Sequence, residues 1–178
     1  MNKGRSFEDK YLHCKNYLGL SANGEIIKNL PADWIQTFLA GEGSFYNYIA
    51  ESKSISKGKT YNFQRCDSSL EIGQNNHDVL VLLAIKKFFG GGYIKPKYNF
   101  GNIKECKNSR SLNRFIFRDT NAIIRFVDNH PMLTRKQLDY LDWIKIVELK
   151  NAGAHKTVEG LTLMKKILSQ MNSTRSLD

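Results

Sequence analysis

Cysteine is scarce in this chain and poorly spaced for chemistry. Cys14, Cys66 and Cys106 are odd in number and far apart, with no CxxC pair. Neither a zinc site nor a disulfide framework is supported, and reduced thiols in an intracellular or organellar compartment are expected. The four histidines, His13, His77, His130 and His155, form no pattern either. They read as surface or helix-end residues rather than catalytic bases. Apolar runs are short, and none approaches the roughly 18 residues that point to a membrane span. The polar N-terminus lacks the apolar core of a secretory signal. Acid is the other shortage: 17 Asp plus Glu stand against 27 Lys plus Arg, a formal net charge of +10 with a pI near 9.5. That balance favours a polyanionic partner, since phosphate contacts supply most non-specific DNA affinity. At 178 residues and 41% hydrophobic, one domain with a sizeable core is expected.

The most informative stretch is Phe38-Leu39-Ala40-Gly41-Glu42-Gly43-Ser44-Phe45. Pro31 opens a helix whose apolar residues recur at helical spacing through Ala40. Gly41 and Gly43 are expected to stop it, and Ser44 through Ile49 reads as a strand. Glu42 therefore stands at the negative end of a helix dipole, beside free helical carbonyls. That place is poor for an anion by itself and good for a divalent cation. Thr37 and Gly41 form a small-xxx-small pair that lets a second backbone approach.

Residues 1–29 read as an N-terminal extension, 30–172 as the working domain and 173–178 as a tail. After the helix near 31–41 come strands near 43–53 and 60–73, joined by the Lys- and Ser-rich segment 52–59. Asn75 or Asn76 is positioned to cap a helix over 76–89. Gly90-Gly91-Gly92 ends that helix and is not a phosphate loop, because it follows a helix and no Lys-Ser/Thr comes after it. Strands near 93–98 and 113–118 follow. Asp119 caps a helix to about Asn129, and Thr134-Arg135-Lys136-Gln137 fits a capping box that opens a long helix to about 150. Thr157 begins a last helix that ends near Met171.

The segment Thr37 to Phe45 resembles the LAGLIDADG motif of homing endonucleases, in the looser form G-F-x-D-x-E-G-S-F. Phe38, Glu42, Gly43, Ser44 and Phe45 match, while Thr37 and Ala40 depart from it. The element order αββαββα with C-terminal helices is similar to that family's α+β fold, whose concave four-stranded antiparallel sheet lies on DNA. The resemblance implies a site-specific DNA endonuclease, intron-encoded and organellar (mitochondrion or chloroplast). It would hydrolyse phosphodiesters with Mg²⁺, with Mn²⁺ able to substitute and Ca²⁺ binding without cleavage. Glu42 would be the metal's carboxylate and the Gly41 backbone carbonyl a second ligand. Gln74, ending the second strand, matches the family's water-positioning residue, and Lys136 matches its active-site lysine.

One motif brings one acid, and a duplex has two strands to cut. The best internal candidate for a second copy, residues 84–92, holds no acid. A homodimer is therefore expected, pairing motif helices through Trp34, Thr37, Phe38 and Gly41 and preferring a pseudo-palindromic double-stranded DNA target. Sheet alternation assigns Phe45, Ile49, Leu70 and Ile72 to the core. It leaves Tyr46, Tyr48, Ser52, Arg65, Asp67, Ser69 and Glu71 for DNA, with Lys95, Lys97, Arg114 and Arg118 from the second strand pair. The competing reading is an RNA-binding intron maturase, the same fold without nuclease activity. The joint presence of Glu42, Gln74 and Lys136 argues for the nuclease.

Overall fold

The computed structural model describes residues 29–56, 58–75, 78–96 and 112–172. Their elements are α1 (Ala32–Glu42), β1 (Gly43–Ser56), β2 (Lys59–Asn75), α2 (Val79–Phe89), β3 (Tyr93–Pro96), β4 (Leu112–Phe117), α3 (Thr120–Asn129), α4 (Lys136–Asn151), a 3₁₀ turn (Ala154–Lys156) and α5 (Val158–Leu168). The strands form one antiparallel sheet in the order β1-β2-β4-β3. In the β3–β4 pair Tyr93 lies opposite Ile116 and Lys95 opposite Arg114. This is the expected αββαββα order with two further helices. Of the expected extension only Asn29 is described, and the expected tail lies outside the described residues.

The chain divides into two compact units, residues 1–35 with 71–117, and residues 36–70 with 118–178. In the first, the apolar face of α2 is buried through Val79, Leu82 and Ile85, as are Ile72 of β2 and Phe115 and Phe117 of β4. Phe89 tilts onto Phe117 at 4.9 Å between ring centroids and stacks on Phe115 at 6.5 Å. Gly90 closes α2 in the left-handed conformation, φ 67°, and its N–H returns to the carbonyls of Lys86 and Lys87. Glycine makes that turn without a Cβ penalty, which is why the glycine run ends the helix.

In the second unit, Phe45 is buried beside Tyr140 and Trp143 of α4, at 5.2 and 5.8 Å. Leu39, Leu70, Ile123, Val127, Ile146 and Met164 are buried as well. Each such aliphatic side chain contributes about 1.5–3 kcal/mol on burial. Asp119 caps α3 by accepting the Ala122 N–H at 2.9 Å. Thr157 caps α5 by accepting the Gly160 N–H at 3.1 Å.

Several boundaries differ from the sequence expectation. The segment 52–59 is mostly strand: β1 runs to Ser56 and β2 starts at Lys59, with Gly58 at φ 73° in the turn. Backbone pairing needs no apolar side chains, so a polar hairpin arm looked like a loop. Asn75 belongs to β2, and Asp78 stands at the N-cap position of α2 without a side-chain cap bond. Asn76 lies outside the described residues. The capping box before α4 is not formed. The Gln137 side chain instead accepts the Met132 N–H at 2.8 Å, and the N-cap position falls to Arg135. α5 ends at Leu168 rather than near Met171.

Candidate functional site

Glu42 is the last residue of α1, one position later than expected, and its side chain is exposed. Gly41 does not stop the helix; it occupies the last turn, exposed, with no atom within 4 Å of where a Cβ would stand. Gly43 is the stop. A Cβ there would lie 2.6 Å from the Leu39 carbonyl oxygen, so only glycine lets the chain fold back tightly against its own helix. Glu42 thus projects where the final helical carbonyls have no helical partner and the dipole is negative. One carboxylate, carbonyl oxygens and open access for water suit a hard divalent cation. No group of three or more His, Cys, Asp or Glu that could hold a metal occurs among the described residues.

The strand after Glu42 is held by side chains of α4 and of the segment that follows α5. Ser44 Oγ donates to Asn172 Oδ1 at 3.3 Å, Asn172 Nδ2 donates to the Phe45 carbonyl at 3.2 Å, and Trp143 Nε1 donates to the Tyr46 carbonyl at 3.3 Å. Asp139, buried on α4, accepts the Asn172 N–H at 2.9 Å. A second buried polar pair, Ser68 Oγ donating to Asn47 Oδ1 at 2.6 Å, ties β2 to β1. None of these was singled out from sequence. The available signal was Asp139, an acid four and seven residues before Trp143 and Ile146 on the buried stripe of a helix. A carboxylate there must be hydrogen-bonded.

Lys136 is the first residue of α4 and half-buried; its backbone N–H lies 3.4 Å from Thr134 Oγ1. Gln74 is the penultimate residue of β2 and half-buried. Glu42 and Lys136 fall in the second unit and Gln74 in the first. On α1, Ile35 and Leu39 are fully buried, whereas Trp34, Thr37 and Gly41 are exposed at i, i+3 and i+7 with Phe38 half-buried beside them. The helix therefore carries a second stripe, away from its core face.

Among the residues expected to face DNA, Tyr46 and Tyr48 are exposed, Ser52 is half-buried and Lys95 is exposed. Arg65 pairs with Asp67 at 2.6 Å, and Arg114 with Glu71 at 2.8 Å. Ser69 is buried at 3% exposure and is not available. Arg118 is exposed but lies one residue past the end of β4, and Lys97 lies outside the described residues. Ile49, expected in the core, is half-buried. Tyr61 and Phe63 are exposed on the alternation that carries Arg65 and Asp67. Both lie within the strand expected near 60–73, and the same alternation would assign them to the DNA face.

Relatives agree with this architecture. The curated protein "probable intron-encoded endonuclease 3" of Neurospora crassa is 30% identical over 142 residues, 78% of this chain and 24% of that protein. The chain thus spans about a quarter of that relative's length. The crystal structure of a homing endonuclease, I-TnaI, superposes with a TM-score of 0.67 at 26% identity, over 82% of this chain and 90% of that one. The LAGLIDADG homing endonuclease I-SmaMI bound to cleaved DNA superposes with a TM-score of 0.66 at 25% identity, over 99% of this chain and 55% of that one. The LAGLIDADG endonuclease family model matches residues 36–147. The chain belongs to the LAGLIDADG endonuclease family.

Proposed function

We propose that this chain is a site-specific DNA endonuclease that acts as a homodimer and makes a metal-dependent double-strand break in a long pseudo-palindromic target. The observation that carries the proposal is the exposed Glu42 at the glycine-closed end of α1, in a chain of this family. Its setting suits a cation, and its position beside the exposed Trp34, Thr37 and Gly41 stripe suits sharing that cation with a second copy.

Glu42 and the Gly41 carbonyl would hold Mg²⁺, which activates water and stabilises charge on the scissile phosphate and leaving oxygen. By the same resemblance, Gln74 would orient the attacking water through its amide and Lys136 would offset negative charge on the phosphate. The exposed Tyr46, Tyr48 and Lys95, with Arg65 and Arg114, follow the duplex. Intron homing and an organellar setting belong to the same proposal and rest on resemblance.

The test is cleavage of DNA carrying the chain's own coding gene, interrupted and uninterrupted, with Mg²⁺. The uninterrupted form is expected to be cut. Glu42→Gln should lower cleavage by orders of magnitude while DNA affinity in Ca²⁺ holds or rises, because a carboxylate near phosphate repels it. Gln74→Ala and Lys136→Ala should cut more slowly with unchanged metal dependence. Full activity in Glu42→Gln would place the active site elsewhere, and an inert parent that supports RNA splicing would favour the maturase.

A further inference from the structure

Asn172 is the only non-glycine residue with positive φ among the described residues, at 56°. L-residues avoid that region, and asparagine enters it more readily than most, here held by hydrogen bonds to distant parts of the chain. There are three. Its N–H reaches the buried Asp139 carboxylate, its Nδ2 reaches the Phe45 carbonyl, and its Oδ1 takes the Ser44 hydroxyl. The side chain thus spends its donor and its acceptor on consecutive residues of β1.

Those residues are the second and third after Glu42. Between them and Glu42 lies Gly43, packed so closely on Leu39 that a Cβ would meet its carbonyl at 2.6 Å. Beyond them the Tyr46 carbonyl is held by Trp143. From Gly43 to Tyr46 every residue is therefore held, by close packing, by the Asn172 side chain or by Trp143 of α4. A backbone fixed immediately after Glu42 leaves the carboxylate only its own side-chain torsions to search. Metal ligands need placement within about 0.5 Å, and residues that orient them commonly change metal affinity 10–100-fold.

We infer that Asn172 is a positioning residue for Glu42: through Ser44 and Phe45 it sets the strand opening that aims the carboxylate at its cation. The inference rests on the reading of Glu42 as a metal ligand. A purely structural Asn172 would anchor the C-terminal segment through its backbone bond to Asp139 and leave metal affinity untouched.

Asn172→Gly separates the two roles, because glycine keeps the positive φ and the N–H to Asp139 and removes both side-chain bonds. Asn172→Asp keeps an acceptor for Ser44 and turns a carboxylate toward the Phe45 carbonyl. The full chain on duplex DNA is titrated with Mn²⁺, read by paramagnetic water relaxation, and melting temperature and metal-free DNA affinity are measured alongside. In Asn172→Gly, Mn²⁺ affinity should fall about tenfold, with metal-free DNA affinity unchanged and melting temperature within about 4 °C of the parent. Asn172→Asp should fall at least as far, and Ser44→Ala part of the way. Parent-like Mn²⁺ affinity in Asn172→Gly, where Glu42→Gln abolishes binding, overturns this inference and leaves the Glu42 reading standing. Mn²⁺ binding that survives Glu42→Gln, or a parent that binds none, overturns both.

Discussion

The Arg114 guanidinium donates to the Glu71 carboxylate at 2.8 Å, joining two residues expected to face DNA. Lys95 lies opposite Arg114 across the β3–β4 pair. Glu71 is 13% exposed and Arg114 30%, so this ion pair is partly shielded, though only on the order of 1 kcal/mol is expected from it. A phosphate or a guanine edge competes with Glu71 for the same guanidinium. Glu71→Gln should therefore tighten DNA binding several-fold with little regard to sequence. It should also steepen the log-log salt slope by about 0.9, one more phosphate neutralised. Fluorescence anisotropy over a salt series measures both; an unchanged slope would mean that Arg114 meets no phosphate.

The two side-chain caps make a simpler prediction about stability. Asp119→Ala and Thr157→Ala each strand a backbone N–H, of Ala122 and Gly160 respectively. Each should cost about 1 kcal/mol, or roughly 2–4 °C in melting temperature for a chain of this size. The caps open different helices, so the losses should add in the double variant. Thermal denaturation followed by circular dichroism reads them.

Alkaline pH should destabilise the fold through two buried acids that are neutral when protonated. Burial first, and then the hydrogen bond to Asp128, push the Tyr140 hydroxyl well above its ordinary range. Burial also pushes the Cys66 thiol up, with Lys150 opposing it. A folded pKa above the unfolded one means that the unfolded chain ionises first. The stabilisation is then complete below the unfolded values, about 8.5 for Cys and 10 for Tyr, and is lost as pH rises above them. Urea midpoints should hold from pH 7 to 8 with respect to these groups and decline above about pH 9. Tyr140→Phe should flatten the fall above pH 10 and lower neutral stability by about 1 kcal/mol through the lost hydrogen bond. An unflattened profile would show that Tyr140 is not the group responsible.

What sequence could and could not show follows from how local each signal is. Helix α1, the glycine stop after α2 and the Asp119 and Thr157 caps each depend on a few neighbouring residues, and pattern reading found them. The hairpin arm through Ser56 escaped because its partner strand, not its own polarity, makes it a strand. The capping box failed because Gln137 found a closer partner in the Met132 N–H, a choice made by the turn before the helix. Asn172 was illegible for a stronger reason. Its partners Ser44, Phe45 and Asp139 lie 128, 127 and 33 residues away, and no local pattern marks an asparagine that will work at that range. Glu42 itself was legible only because its two glycines and its strand opening are contiguous.

Those two glycines have different physical roles, and the difference yields the sharpest test of the paired assembly. At Gly43 an added Cβ would lie 2.6 Å from the Leu39 carbonyl oxygen and 3.1 Å from Leu39 Cα, both backbone atoms. Gly43→Ala must therefore push the strand off the helix end, at a cost of roughly 2 kcal/mol or more, and move Glu42 with it. Stability and cleavage should fall together. At Gly41 nothing lies within 4 Å and the backbone is helical. Gly41→Ala should accordingly raise the stability of the isolated fold by about 0.5–1 kcal/mol, since alanine is the better helix former. Its methyl would project from the exposed stripe shared with Trp34 and Thr37, where the proposed dimer brings two helices together. One added methyl per copy should then loosen self-association while the chain itself melts later. Bulkier Gly41→Leu or Thr37→Leu should abolish it. Sedimentation equilibrium and thermal melting on the same samples separate the two effects. If Gly41→Ala raised the melting temperature and left association intact, the helices would not pair through this position. A stable monomer that still cut both strands would remove the homodimer altogether.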